Sequence, residues 1–221
     1  MDPKDNIEKL MNEKEIQFRD FRVTSIETRQ NEEGKEELIV EGVPVTFNQE
    51  TVLYKGKYYE AREVVSPGAF DECDMSDVIF NYNHCGRVYA RTRNGSLSVW
   101  IESDGLHMRA ILMSEDEGHK ELYRDIKSGL IDKMSFAFHI EESEWKYVEI
   151  GDGYEIDIRT ITKIDKLYDV SAVDIPAYDT TSISARGAFD AERERRNAES
   201  IKKAEELELE KRKLLLLAEM R

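Results

Sequence analysis

The chain has 221 residues, enough for one ordinary domain with tails and a sizeable core. It carries 47 acidic and 32 basic side chains, a formal net charge of −15, which argues against nucleic-acid binding as its main task and favours a basic or peptide partner. Two cysteines, no signal-peptide pattern at the N-terminus and no apolar run near the roughly 20 residues of a membrane span predict a soluble, intracellular protein without disulfides or membrane attachment.

The first half of the chain is predicted to be mostly β structure after a polar start. Residues 1–17 form a polar N-terminal arm, with apolar residues at helical spacing that indicate a short amphipathic helix or a mobile segment. Strands are predicted at residues 18–26, 38–40 and 43–47, separated by a polar turn at residues 31–34. A hairpin or loop follows at residues 54–59, then a short strand at residues 63–65.

A short helix and a meander are predicted next. Ser66 is a candidate N-cap and Pro67 a candidate first helical residue. An apolar strand at residues 78–84 ends in His84, and a second strand covers residues 88–92. The dipeptides Asn94-Gly95 and Asp104-Gly105 predict two consecutive hairpins, which would join that second strand to strands at residues 96–103 and 106–113.

A helix is predicted at residues 114–128. Ser114 and Glu117 have the spacing of a capping box, with Ser114 as the N-cap. Leu122 and Ile126 would lie on the inner face, and Gly129 is the expected C-terminal stop.

The strand after this helix carries the first candidate for chemistry, Ser135. Apolar side chains alternate along residues 134–140, which predicts one core face. Ser135, Ala137 and His139 fall on the other face, which is small and polar. That face suggests a surface open to a ligand or substrate, although a strand with one solvated face explains the pattern as well. A serine is a weak nucleophile, so catalysis here requires a base and a group that orients the base.

The rest of the chain is predicted to be strands and a helical tail. Residues 144–150 and 154–158 form a hairpin, and residues 159–173 continue as strand until a Pro-Ala-Tyr segment at residues 176–178. Charged side chains make up 19 of the 36 residues from Arg186 onward. This composition predicts a charge-rich helical tail at residues 187–221 that is amphipathic and seeks a partner, without a clean coiled-coil heptad.

Four histidines could serve Ser135. His139 lies about 13 Å along the same strand, too far for a direct hydrogen bond. His119 lies early in a charged helix, where a solvated side chain is expected, and His107 lies in mid-strand. His84 ends an apolar strand, a position that can present a side chain to a cleft.

A carboxylate could complete the site. Asp169 is an acid within an apolar strand, which suggests a partnered, buried group. It could equally face water on an edge strand or pair with a cation such as Lys166, and Asp165 and Asp174 are nearby alternatives.

Metal and cofactor chemistry is not expected. A zinc site could be assembled on paper from two cysteines and three histidines, but none of the usual ligand spacings occurs. The chain also has no P-loop and no GxGxxG motif. The members of this rejected zinc set are Cys73, His84, Cys85, His107 and His119.

Three segments together resemble the prohead (capsid maturation) serine proteases of tailed bacteriophages, a family related to the herpesvirus assemblins. They read VVSPGAF with DVIFNYNHCGRVYART, then ELYRDIKSGLIDKMSFAF, then KLYDVSAVDIPAYDTTSISAR, within residues 64–186. The resemblance implies an α+β fold, a mainly antiparallel, assemblin-like β-barrel flanked by helices. The protease domain would cover residues 18–186. By this resemblance the family's histidine falls on His84, its serine on Ser135 and its third member on Asp169.

The same resemblance implies a serine endopeptidase of phage head maturation inside the assembling prohead in the host. Its substrates would be the scaffold, the major capsid protein precursor and the protease itself, and the assemblin relatives suggest a homodimer. The oxyanion arginine of assemblins has no counterpart here, so backbone N–H groups near Ser135, or Arg186, are the candidates. A non-catalytic capsid assembly factor with the same fold is the alternative, and a protease joined to a longer scaffold is another.

Overall fold

The computed structural model describes residues 17–30, 36–151, 153–174 and 181–219. Two helices are described, α1 (Glu117–Ser128) and α2 (Thr181–Glu219), and short 3₁₀ turns cover Pro67–Phe70 and Thr92–Asn94. Strands make up most of the remainder, so the predicted α+β class is confirmed. The strands are β1 (Gln17–Gln30), β2 (Glu36–Thr46), β3 (Thr51–Lys55), β4 (Tyr59–Val65), β5 (Ile79–Tyr82), β6 (Cys85–Arg91), β7 (Leu97–Ile101), β8 (Gly105–Met113), β9 (Lys133–Glu149) and β10 (Glu155–Val173).

The long hairpin of β9 and β10 is the centre of the sheet. On its other side β10 pairs in parallel first with β4 and then with β5, while β9 pairs with β1. The hydrogen-bonded order is β3-β4-β10-β9-β1-β2-β8-β7, with β5 and β6 attached beside β10. This order has two ends, so the described strands do not show the closed barrel that the resemblance implied. Most pairs are antiparallel, as predicted.

Strand β1 changes partner halfway along its length. Residues 17–22 pair with β9, and residues 23–30 pair with β2. A register irregularity between Val23 and Ser25 falls at the point of exchange. One strand therefore belongs to both hydrogen-bonded sheets and links them through the backbone.

The faces of β9 explain why this strand lies deep in the protein. Met134, Phe136 and Phe138 have no exposed surface, and the two phenylalanine rings stack with centroids 4.4 Å apart. Ser135 and Ala137 on the opposite face are also buried. The solvated-face interpretation is therefore wrong for these two residues, and the face is not an open surface in this structure either.

Of the two consecutive hairpins predicted at Asn94-Gly95 and Asp104-Gly105, one is wrong. The Asp104-Gly105 turn joins β7 to β8 as an antiparallel pair, as predicted. The Asn94-Gly95 dipeptide instead ends a 3₁₀ turn with Gly95 at φ 78°, and it connects β6 to β7 without pairing them. Strand β6 pairs with β5, so the Asn-Gly turn serves as a crossing between sheets rather than a hairpin.

The cap of α1 differs from the predicted capping box by two residues. Asp116 is the N-cap, and its side chain accepts hydrogen bonds from the N–H groups of Gly118 and His119. The Ser114 hydroxyl donates to the Glu36 carbonyl at 2.5 Å instead. Gly129 ends the helix at φ 77°, as predicted. The prediction of a Ser66 cap is correct in position, although its side chain makes no capping bond.

His119 is buried, which corrects the expected solvated side chain. Its Nδ1 accepts the Met113 N–H at 3.0 Å, and its ring meets Tyr89 edge-on at 5.1 Å. The residue keeps 1% of its surface exposed. Burial and the positive charge of Arg87 lower the pKa of His119, with Asp116 acting in the opposite direction. The structure thus holds a neutral imidazole between α1 and the sheet.

The charged C-terminal segment is helical, as predicted. The chain divides into two compact units between Ser184 and Ala185, and the described part of the second unit is α2 from Ala185 onward. Its exposed apolar residues include Leu207 and Leu214 on one side, while Ile201 and Leu209 lie away from that side. The prediction of an amphipathic helix is therefore wrong for the described side chains.

Three earlier expectations lie partly or wholly outside the described residues. These concern the N-terminal arm through residue 16, the turn at residues 31–34 and the segment at residues 176–178. The division into an arm, a protease domain and a tail stays a prediction. In the described part of the chain, no helix has the length and apolar character needed to cross a membrane.

Candidate active site

The register of three strands brings polar side chains to one face of the sheet. Ser135 on β9 lies directly opposite Ser171 on β10, and Asp169 lies opposite Ala137. On the other side of β10, Ser171 is aligned with Asn81 of β5. Residues paired across strands point to the same face. The serine of β9 therefore shares a face with an aspartate, a second serine and an asparagine.

His84 reaches this face from a tight turn. Tyr82 and Cys85 are paired, so Asn83 and His84 are the two residues of a hairpin loop between β5 and β6. Both have positive φ, at 52° and 55°, which is the conformation of a type I′ turn. Such positions favour glycine and asparagine, and a histidine there carries a backbone cost. Strained positions of this kind cluster at functional sites. The strand predicted to end in His84 in fact ends two residues earlier.

The turn is fixed by the end of β10. The Asn83 N–H donates to the Ala172 carbonyl at 2.9 Å, and the Asn83 side chain accepts from the Asp174 N–H at 3.2 Å. Tyr82 donates its hydroxyl to Asp174 Oδ2 at 2.8 Å. This hydrogen bond, with burial, raises the pKa of Tyr82. These contacts hold the backbone that carries His84 against the strand that carries Asp169.

His84 and Asp169 are in direct contact. The distance from His84 Nδ1 to Asp169 Oδ1 is 2.8 Å, and the two side chains are 14% and 9% exposed. Because a carboxylate only accepts hydrogen bonds, the neutral imidazole must carry its hydrogen on Nδ1. Nε2 then holds the lone pair that a general base needs. The structure thus brings together two of the three predicted site residues in the orientation that base catalysis requires.

The alternatives for Asp169 do not fit the structure. Asp169 is buried, and Lys166 pairs with Asp74 at 3.0 Å instead. Asp165 contacts His139 at 2.6 Å, and Asp174 serves the turn described above. Among the three acids that the sequence left open, Asp169 is the one beside His84.

Ser135 lies on the neighbouring strand, fully buried. Within the described part of the chain its Oγ has no hydrogen-bond partner. The hydrogen bond from a serine to the base is therefore not formed here, which is common before substrate binds. Its register opposite Ser171 still places Ser135 next to the group that contains His84.

The remaining candidates are separate from this group. His107 contacts Asp104 at 2.8 Å and stacks on Trp100 with centroids 5.7 Å apart. Among the described residues, the potential metal ligands that cluster are Glu102, Asp104 and His107, so the zinc set considered from the sequence is not assembled. Cys73 is also a poor ligand, because burial raises the pKa of its thiol to about 12.

Two residues of the site were missed by sequence reasoning, Ser171 and Asn81. The Ser171 hydroxyl contacts Asp169 Oδ1 at 2.7 Å and His84 Nδ1 at 3.2 Å, and it also contacts Asn81 Oδ1. A signal was available for the serine, since residues two apart on a strand share a face and Ser171 follows Asp169 by two. Nothing in the local pattern of β5 distinguishes Asn81.

A histidine held by an aspartate, with a serine on the adjoining strand, is the residue set of a serine hydrolase. The family model described as caudovirus prohead serine protease matches residues 24–195, and the chain belongs to this family. The match covers the three segments on which the resemblance was based, and it includes Ser135, His84 and Asp169.

Comparison with solved structures found the bacteriophage T4 capsid assembly protease, gp21. The match has 16% sequence identity and a TM-score of 0.44, and it covers 75% of this chain and all of that one. A comparison with curated proteins gave no match.

Proposed function

We propose that the protein is a serine endopeptidase of phage head maturation, which cleaves capsid and scaffold precursors, and its own chain, inside the assembling prohead. The observation that carries the proposal is the 2.8 Å contact between His84 Nδ1 and Asp169 Oδ1 on the face that also carries Ser135. Membership of the prohead protease family supports the reaction class and the compartment.

Each residue has a role that follows from its position. Ser135 Oγ attacks the scissile carbonyl, and His84 Nε2 takes the serine proton and later gives it to the leaving amine. Asp169 keeps the other imidazole nitrogen protonated and stabilises the imidazolium that forms. For the transfer, Ser135 Oγ and His84 Nε2 must approach to about 2.6–3.2 Å. Backbone N–H groups near Ser135 are our candidates for the oxyanion site. The side chain of Arg186, the other candidate from the sequence, lies outside the described residues.

An extended peptide could bind along β6. This strand begins directly after His84 and pairs with β5 alone among the described strands, so its second edge is open to another strand. Residues 85–88 are exposed. Addition of a substrate strand to this edge would bring the substrate backbone next to His84. Main-chain hydrogen bonds would then supply the affinity, so peptides of different sequence could bind in the same way.

The helical tail is proposed to carry the enzyme into the prohead. Its described side chains from residue 197 to residue 214 are exposed and mostly charged. We propose that it docks on helices of the scaffold or capsid precursor and is later trimmed. A homodimer, as in the assemblin relatives, is a further proposal.

The test is the intact mass of the wild-type protein over time with its cognate capsid precursor, beside Ser135→Ala. Ser98→Ala is the matched control, because Ser98 is an exposed serine on β7, away from the site. Cleavage of the precursor or the tail by wild type and Ser98→Ala, but not by Ser135→Ala, is the expected result. Full-length masses for all three proteins in the presence of assembled precursor would favour the alternative, a non-catalytic assembly factor. Equal cleavage by all three would mean that Ser135 is not the nucleophile.

A further inference from the structure

Ser171 occupies the junction of the site. It has no exposed surface, and it lies opposite Ser135 on β9 and beside Asn81 on β5. Its hydroxyl is 2.7 Å from Asp169 Oδ1, the same carboxylate oxygen that His84 Nδ1 contacts. Two donors therefore converge on one oxygen of Asp169.

The hydrogens of this cluster can be assigned by counting donors. A serine hydroxyl has one hydrogen, so Ser171 can donate to Asp169 or to Asn81 but not to both. A carboxylate can only accept, and hydrogen bonds to a charged group are the stronger ones. Ser171 therefore donates to Asp169. The Asn81 side chain can then donate to the Ser171 oxygen if its NH₂ group, rather than its carbonyl oxygen, points toward Ser171. Which end of an amide is the nitrogen is assigned from the surrounding hydrogen bonds.

We propose that Ser171, supported by Asn81, is a positioning residue that holds the Asp169 carboxylate and through it the His84 imidazole. The proposal rests on the proposed protease function. The relay runs from Asn81 to Ser171 to Asp169, and His84 Nδ1 donates to the same carboxylate oxygen. Both donors fix the carboxylate from one side, so the imidazole cannot rotate without breaking a charge-assisted hydrogen bond.

Ser171 is not a second nucleophile in this arrangement. The imidazole nitrogen that it approaches, at 3.2 Å, is Nδ1, which already carries a hydrogen toward Asp169. The serine's own hydrogen is donated to the carboxylate. Nδ1 therefore cannot deprotonate Ser171, and a carboxylate is a weaker base than an imidazole. The imidazole lone pair that can act as a base is on Nε2. The nucleophile remains Ser135, and chemical labelling can separate the two serines.

The test compares wild type with Ser171→Ala, Asp169→Asn and the double variant. Initial rates of precursor cleavage by intact mass should fall about 10- to 100-fold in Ser171→Ala, a loss like that seen when the hydrogen-bond partner of a metal ligand is removed. In the Asp169→Asn background the same change should cause no further loss, because Ser171 acts through Asp169. If Ser171→Ala folds poorly, Ser171→Cys takes its place. Cysteine is close to serine in size and keeps a weak donor, so an intermediate rate is expected.

Two further readouts distinguish positioning from general destabilisation. A fluorophosphonate probe should label the peptide that contains Ser135 in wild type, more slowly in Ser171→Ala. The His84 Nδ1 proton should give a resolved low-field NMR signal in wild type that is lost or broadened in Ser171→Ala at a temperature where both are folded. Rates within twofold of wild type, additive losses with Asp169→Asn, or label on Ser171 would each overturn the proposal. If wild type cleaves nothing, the protease function fails, yet the NMR comparison still decides whether Ser171 positions His84.

Discussion

The backbone at His84 makes a quantitative prediction. His84→Gly and His84→Ala remove the same imidazole, so they differ in how the new residue tolerates φ 55° and in the freedom of the unfolded chain. The left-handed conformation costs a non-glycine residue about 1–2 kcal/mol. The greater freedom of glycine in the unfolded chain favours alanine by about 0.4–1 kcal/mol. The balance is about 1 kcal/mol in favour of glycine, the reverse of the order at an ordinary position.

Thermal unfolding of the two variants checks this order. For a chain of this size about 1 kcal/mol corresponds to about 2–4 °C in Tm, with His84→Gly melting higher. The control pair is Val88→Gly and Val88→Ala on the exposed part of β6, where φ is not positive and alanine should be more stable by about 0.5–1 kcal/mol. If His84→Ala melts at or above His84→Gly, the turn does not hold His84 in the left-handed region. Both His84 variants should lack precursor cleavage.

Three other predictions concern the rest of the structure. Asp116→Ala should destabilise the protein by about 1–2 kcal/mol in urea unfolding, because it removes the side-chain cap, and a larger effect of Ser114→Ala would argue for the capping box. The depressed pKa of His119 makes its stabilising contribution complete above pH 6.5 and progressively lost below it, by up to about 1.4 kcal/mol per pH unit. His119→Gln should therefore flatten the acid side of a stability profile, and an unchanged slope would contradict the buried neutral imidazole. At pH 8 a thiol reagent should modify the exposed Cys85 at once. It should modify Cys73, whose pKa burial raises to about 12, only after unfolding. Rapid modification of both thiols in the folded protein would show that Cys73 is accessible.

Local pattern was a good guide to the strands and a poor guide to their partners. The alternation along residues 134–140 correctly predicted the core face of β9. The Asn94-Gly95 hairpin failed because a 3₁₀ turn at Thr92–Asn94 separates β6 from β7, and the two strands pair with β5 and β8 instead of with each other. The turn at Asn83 and His84 contains no glycine, so the usual sequence signal of a two-residue hairpin was missing there. The parallel pairing of β10 with β4 and β5 joins strands distant in sequence, which no local pattern reports.

The candidate site could be predicted only in part, because it also depends on which strands pair. His84 and Asp169 were singled out because a histidine at a strand end and an acid in an apolar strand are unusual, and they prove to be in contact. Their contact depends on β5 lying beside β10, which the sequence does not state. Ser171 looked like an ordinary small residue of a buried strand. Its importance follows only from the shared carboxylate oxygen.

The exchange of partners along β1 has a mechanical consequence. The first six residues of that strand supply the hydrogen bonds on one edge of β9 across residues 133–138, and Ser135 is paired with Asp20 there. A proteolytic cut just before Val23 that released this segment would leave that edge bare. It would leave the pairing with β2 from Val23 onward in place. The strand that carries Ser135 could then loosen on one side while the second sheet stayed intact.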